Sequence, residues 1–164
     1  MPSSDYSARR MSVIGGVFLN SVMDIKNIYY DPMIISKINE IIKDDEEEAV
    51  HYGDELENIV ATRMDKVGDT HGKHWDDPAL ALIICMEDGG GAEVECQVHM
   101  ARGLRVPKRI ALSVGDAYLM NTKEVPHEVL PLEKDIPRSI VNLTYDFKGR
   151  EVKPNGSAEL LFCP

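Results

Sequence analysis

The sequence predicts a mainly β fold, a sandwich or jelly roll buttressed by one N-terminal helix. Three observations carry this. A single helical pattern is confined to the first quarter of the chain, short apolar runs separated by turn signals follow it, and one of those runs alternates strictly between apolar and polar residues. With 164 residues the chain suits one domain, long enough to bury about 70% of the surface its unfolded form exposes. The expected layout is an N-terminal strand and helix over about 11–44, a core barrel over about 56–148 and a tail over 149–164.

Each element has its own justification. Met11 to Met23 is mildly apolar and follows Arg9 and Arg10, loosely imitating a secretion signal. Gly15, Gly16, Asn20 and Ser21 dilute it and no cleavage site follows, so it reads as a first strand with a ragged tail. From Asp31 the pattern is helical: Asp31 can cap, Pro32 suits the first turn, and Ile34, Ile35, Ile38, Ile41 and Ile42 share a face. The acidic run from Asp44 to Glu48 ends this helix as a solvated segment. Asn58 to Met64 is β-compatible, Leu80 to Met86 is an apolar run fit for burial on both faces, and Asp88-Gly89-Gly90-Gly91 marks a turn. Ala92, Val94, Cys96, Val98 and Met100 then alternate with Glu93, Glu95, Gln97 and His99, which places one face on a core. Further strands are expected at Arg109 to Val114, Ala117 to Asn121, Glu128 to Leu130 and Arg138 to Phe147, with Gly115-Asp116 as a tight turn. The tail from Lys148 reads as a loop, closed by Leu160, Leu161 and Phe162 docking back on the body.

Composition excludes several functions. The 28 Asp and Glu against 18 Lys and Arg give a net charge of −10, which repels phosphate backbones, so no nucleic acid partner is expected. No run approaches the length of a transmembrane helix, so no membrane is expected either. Cys85, Cys96 and Cys163 form neither a disulfide framework nor a CxxC pair. They read as buried small hydrophobes in a reducing, cytoplasmic compartment.

Chemistry concentrates around two histidines. In His74-Trp75-Asp76 an extended backbone sends the imidazole and the carboxylate to one face, where both can grip a metal. His127 lies at the start of a predicted strand, and two imidazoles with one carboxylate leave the opposite metal positions open, as non-haem Fe(II) oxygenases require. Arg138 begins the last strand, and its guanidinium fork is suited to a carboxylate such as that of a keto-acid cosubstrate. The competing reading makes these unrelated polar residues. Trp75, between the two ligands, is expected to face away into packing; His71 is expected in a loop near the site entrance, because its spacing from His74 points the two apart; His99 belongs on the surface. Arg63 and Asn142 are candidate substrate contacts, a plain surface arginine being the alternative for Arg63.

The order His74-x-Asp76, His127, Arg138, with Gly115-Asp116-Ala117-Tyr118-Leu119-Met120 leading to Pro126-His127-Glu128-Val129-Leu130-Pro131, resembles the Fe(II)/2-oxoglutarate-dependent dioxygenases over roughly residues 58 to 147. His71-Gly72-Lys73-His74-Trp75-Asp76-Asp77-Pro78 and Gly89-Gly90-Gly91-Ala92-Glu93-Val94 resemble more narrowly the small-molecule branch that includes free amino acid hydroxylases and halogenases. The resemblance implies a double-stranded β-helix, cupin-like, with Fe(II) held by His74, Asp76 and His127 and with 2-oxoglutarate paired to Arg138. Reaction with O2 would then oxidise, by hydroxylation, a C–H bond of a small molecule such as an amino acid or a natural-product intermediate, releasing succinate and CO2. Halogenases of this kind carry a small residue in place of the carboxylate, so Asp76 favours hydroxylation. The arginine is followed by Ser139-Ile140, whereas one large branch places a serine two residues after it, and Tyr118 or Thr122 is expected to supply that contact. Relatives usually carry more N-terminal helix, which leaves an open mouth here, or one that a homodimer covers. Two alternatives stand beside this reading: a cupin-like isomerase or oxidase that does not use 2-oxoglutarate, and a non-enzymatic binding domain on the same barrel. Arg138 separates the first of them from the main reading.

Overall fold

The computed structural model describes residues 9–43, 47–100 and 103–150. Along the chain run β1 (Ser12–Ile14), α1 (Gly16–Leu19), α2 (Met23–Tyr29), α3 (Pro32–Ile42), β2 (Ala49–His51), β3 (Ile59–Met64) and β4 (His71–His74). They are followed by β5 (Leu80–Asp88), β6 (Glu93–His99), β7 (Arg105–Ala111), β8 (Ala117–Asn121), β9 (His127–Val129) and β10 (Arg138–Phe147). A six-stranded sheet has the order β1-β3-β10-β5-β8, with β2 also on β10, and a four-stranded sheet has the order β4-β9-β6-β7. All pairs are antiparallel. From β3 to β10 the chain passes from one sheet to the other at every step except the β6–β7 hairpin. This is the jelly-roll path of a double-stranded β-helix.

The large sheet separates two cores. On its outer side Leu19, Tyr29 and Ile38 from the helices pack with Ile59, Leu80, Val141, Leu143, Tyr145 and Phe147. Between the sheets Met64, Ile83, Met120 and Ile140 meet Val94, Cys96 and Val129 of the small sheet. Strand β10 serves both because successive side chains point to opposite faces. Helix α3 starts as its sequence dictates, with the Asp31 side chain accepting from Met33 N at 2.8 Å and Pro32 in the first turn. It ends at Lys43, which adopts a left-handed conformation at φ 52°.

Several boundaries differ from expectation. The ragged tail after the first strand is two short helices; α1 has no side-chain cap and is held by Gly16 N donating to Leu56 O at 2.9 Å and by burial of Leu19. Such helices depend on tertiary packing and leave little periodicity to read. Strand β7 runs from Arg105 to Ala111 rather than from Arg109 to Val114. It is an edge strand, paired only with β6, so it tolerates Pro107 and a polar, exposed composition. Met100 is 55% exposed because β6 ends one residue earlier. The turn at Gly115-Asp116 is present, with Asp116 N donating to Ser113 O at 3.0 Å. Asp44 to Glu46, Cys163 and the docking of Leu160, Leu161 and Phe162 lie outside the described residues. Among the described residues no helix is long and apolar enough to cross a membrane.

Candidate metal centre

His74 closes β4 and stands directly across from His127, the first residue of β9, so strand pairing alone brings the two imidazoles together. Their ring centres are 4.3 Å apart. The chain then leaves β4, and Asp76, tied by its N–H to Thr122 O at 3.3 Å, turns its carboxylate back between them. Asp76 Oδ1 is 3.3 Å from His74 Nε2, and Oδ2 is 3.6 Å from His127 Nε2. One ligand atom from each of the three residues lies within 4.8 Å of the others.

The second ring nitrogens fix the first. His74 Nδ1 lies 2.7 Å from Gly72 O and His127 Nδ1 lies 3.0 Å from Val125 O. A carbonyl only accepts, so each Nδ1 carries a hydrogen, and in the neutral ring each Nε2 presents a lone pair to the shared space. Burial pushes the His127 imidazole below its ordinary value, against the pull of Asp76. Burial would raise the Asp76 carboxyl, but the neighbouring His127 and His74 outweigh it and hold the group well below the usual carboxylate range. Neutral imidazole and ionised carboxylate are the states a divalent cation requires. Two nitrogens and one oxygen on a single side of the space fit Fe(II) with open positions.

The three residues sit in the wall of a cavity of about 90 Å³ between the sheets. Alternate residues of the large sheet form the opposite wall: Val60, Thr62 and Met64 from β3, and Arg138, Ile140, Asn142 and Thr144 from β10, joined by Ile83, Tyr118 and Met120. Strand register places Asn142 beside both Val60 and Ile83, with Ile83 next to Tyr118. Arg138 is only 4% exposed, and its Nη1 is buried without a hydrogen-bond partner. No carboxylate among the described residues lies within 4.0 Å of it to form an ion pair. Burial lowers its pKa, while Tyr118 and Cys85 act the other way. The Tyr118 phenol, raised by burial, keeps its proton and can donate. Of the six buried side-chain nitrogen or oxygen atoms without a partner among the described residues, four belong to residues lining this cavity: Arg9, His71, Arg138 and Asn142.

Four sequence expectations need correction. Thr122 does not reach the cavity: it is fully buried and its hydroxyl donates to Pro78 O at 2.8 Å. Arg63 falls between Thr62 and Met64, so the pleat sends it to the opposite face, where it pairs with Asp65 at 2.8 Å and with Glu87. Trp75 is 37% exposed and lines the cavity instead of packing in a core, because Asp76 lies beyond the end of β4 where strict alternation has lapsed. His71 is on β4 and its ring stacks on His74 at 3.6 Å and 23°. The pairing with β9 explains the stack: His71 faces Val129 and His74 faces His127, three steps on one strand against two on the other. This extra residue, a bulge, returns both histidines to one face, and Gly72 within the strand was the available signal. Burial, then the neighbouring His74, push the His71 pKa down to about 2. His99, exposed and accepting from Arg105 Nε at 3.2 Å, is on the surface as expected. Sequence reasoning missed Arg9, Glu57 and Asp77, which also line the cavity and carry no motif that marks them.

Solved structures of the same shape exist. An oxidoreductase of the 2OG-Fe(II) oxygenase family from Burkholderia pseudomallei aligns at TM-score 0.61 and 18% identity, covering 85% of this chain and 66% of that one. A non-haem alpha-ketoglutarate-dependent epimerase from nogalamycin biosynthesis aligns at TM-score 0.61 and 13% identity, covering 85% and 65%. A Pseudomonas putida prolyl-4-hydroxylase aligns at TM-score 0.50 and 15% identity, covering 92% and 77%. At these identities the likeness is one of fold, and the chain spans just under two thirds of the length of the first two. Among curated proteins nothing matches the chain. The family described as Halogenase D matches residues 1–159, nearly the whole chain, and the protein belongs to that family.

Proposed function

We propose that the protein is an Fe(II)- and 2-oxoglutarate-dependent oxygenase that hydroxylates a C–H bond of a small molecule, releasing succinate and CO2. The observation that carries this reading is Arg138, a buried arginine whose Nη1 has no hydrogen-bond partner, in the same cavity as the His74, Asp76 and His127 donors. An uncompensated buried charge is costly, and a carboxylate that enters with the cosubstrate relieves it. Iron, 2-oxoglutarate and O2, when bound, supply oxidative decarboxylation coupled to substrate oxidation. The chain itself does the rest. His74, Asp76 and His127 hold the metal, Arg138 with the Tyr118 hydroxyl receives the distal carboxylate, and the apolar Val60, Met64, Ile83 and Met120 exclude water.

The substrate is proposed to be a small molecule of amino acid type, with Asn142 among its contacts. Arg9, Glu57 and Asp77 line the cavity together and offer both signs of charge, the complement of a zwitterion. Hydroxylation rather than halogenation rests on Asp76, a third protein ligand where the halogenases this chain resembles have a small residue. A cytoplasmic location is proposed with it, on the reading of the cysteines. The test is anaerobic titration of the Fe(II)-loaded protein with 2-oxoglutarate, followed by exposure to O2 and free amino acids. A visible charge-transfer band, succinate release and a product heavier by one oxygen are expected. Absence of both band and succinate overturns the reading, and a chlorinated product in the presence of chloride overturns its hydroxylation half.

A further inference from the structure

We infer that the turn from Asp88 to Gly91 sets the depth of Arg138 in the cavity and thereby the length of the dicarboxylate the arginine takes. The inference rests on the proposed pairing of Arg138 with the cosubstrate. Because Arg138 Nη1 is buried without a hydrogen-bond partner and no ion pair holds the side chain among the described residues, packing of its stem helps fix where it stands. Arg138 pairs with Asp88 where β10 meets β5, and Gly89 N donates to Pro137 O at 3.0 Å, which ties the turn to the residue before the arginine. Gly89 has φ +65°, and a Cβ placed on it would stand 2.8 Å from Arg138 Cβ, 2.9 Å from Ala92 Cβ and 3.2 Å from Leu132 Cδ2. The arginine stem is therefore packed against a bare Cα. From the opposite face the strand is held too: Ser139 Oγ donates to Glu87 Oε2 at 2.6 Å, and Glu87 also pairs with Arg63, joining β10, β5 and β3 at the level of Arg138. With both sides closed, a methyl group at position 89 has to displace Arg138 along the cavity or open the turn.

The same turn contains its own control. Gly91 also has positive φ, +91°, yet a Cβ there meets nothing within 4 Å. Alanine at either position strains the backbone, and only alanine at 89 presses on Arg138. Under anaerobic conditions the Fe(II) protein is titrated with 2-oxoglutarate and with 2-oxo dicarboxylates one methylene shorter and one longer. Wild type, Gly89→Ala and Gly91→Ala are compared, with Fe(II) affinity and melting temperature measured alongside. Wild type is expected to prefer 2-oxoglutarate by about tenfold or more over either homologue. Gly91→Ala keeps that affinity and selectivity within about twofold, whereas Gly89→Ala loses about tenfold in 2-oxoglutarate affinity, shifts preference to another chain length and retains Fe(II). Equal loss in the two variants, or no loss in either, overturns the inference. Equal binding of the three acids by wild type overturns it without any variant, so an unstable Gly89→Ala protein leaves it open to disproof. If wild type binds none of the acids, the proposed function fails and the inference falls with it; if only the glycine contrast fails, the proposed function stands.

Discussion

Strand β10 contributes Val141, Leu143 and Tyr145 to a helix-covered core on one side and Ile140, Asn142 and Thr144 to the cavity that holds His74, Asp76 and His127 on the other. The helix side is nearly closed in its polar chemistry as well as its packing. Tyr29 Oη donates to Thr144 O at 2.9 Å and accepts from Tyr52 N at 3.0 Å, which leaves the Tyr145 hydroxyl as that cluster's unpaired group. The cavity side keeps orphan atoms on Arg9, His71, Arg138 and Asn142 beside His74, Asp76 and His127. Unmet polar groups cost stability, and four of the six among the described residues lie on the cavity side. One strand thus divides a well-packed face from a polar one, and the proposed function makes the second a binding face.

That contrast can be broken by substitution. His127→Ala is expected to abolish metal-dependent turnover and Fe(II) binding by calorimetry, while the metal-free protein loses about 1–1.5 kcal/mol in a urea melt with the bond to Val125 O. Leu143→Ala, across the strand, should do the reverse: it costs about 2–5 kcal/mol in the same melt and leaves 2-oxoglutarate affinity intact in the folded fraction. Arg138→Met sharpens the comparison, because it should weaken 2-oxoglutarate by about ten- to a hundredfold and yet raise the stability of the ligand-free protein by about 1–3 kcal/mol. A fall in that stability would show that the guanidinium already has a partner.

Acid separates the faces next. Folded His71 resists protonation down to about 2, whereas its unfolded form takes up a proton near 6.5, so the unfolded state binds more protons between these values. Stability of the metal-free protein therefore declines as pH falls below 6.5, by at most about 1.4 kcal/mol per pH unit for this group, with His127 acting in the same direction. His71→Leu should flatten the slope in melts between pH 7 and pH 5. The smallest effect belongs to Thr122→Val, which loses the bond to Pro78 O, costs about 1 kcal/mol and leaves cosubstrate affinity unchanged.

The parts legible in the sequence are those governed by local period or by long-range order of residue types. Val94 and Cys96 of β6 and Ile34, Ile35, Ile38 and Ile42 of α3 face the cores as local period requires, while Ile41 is 57% exposed; His74, Asp76 and His127 come together although Asp76 lies past the end of β4. Errors arose where spacing was interrupted. One extra residue in β4 turned His71 toward the site, and the end of β4 freed Trp75 from the parity of its neighbours. Arg63 failed for the opposite reason: its strand is regular, and counting from Met64 would have sent it outward. Thr122 was out of reach of such counting, since its hydroxyl is taken by a carbonyl 44 residues away in sequence.

The carbonyls of Gly72 and Val125, which hold the His74 and His127 imidazoles by Nδ1, bear on how the site can change over time. A carbonyl is common to every amino acid, so the lock is written in the path of the chain and not in the alphabet. Replacements at 72 and 125 that preserve that path can accumulate without retuning the ligands. A single insertion between 72 and 74, or between 125 and 127, would release a ring while every ligand remained in place. In this centre the tolerated currency of variation is substitution, and the forbidden one is length.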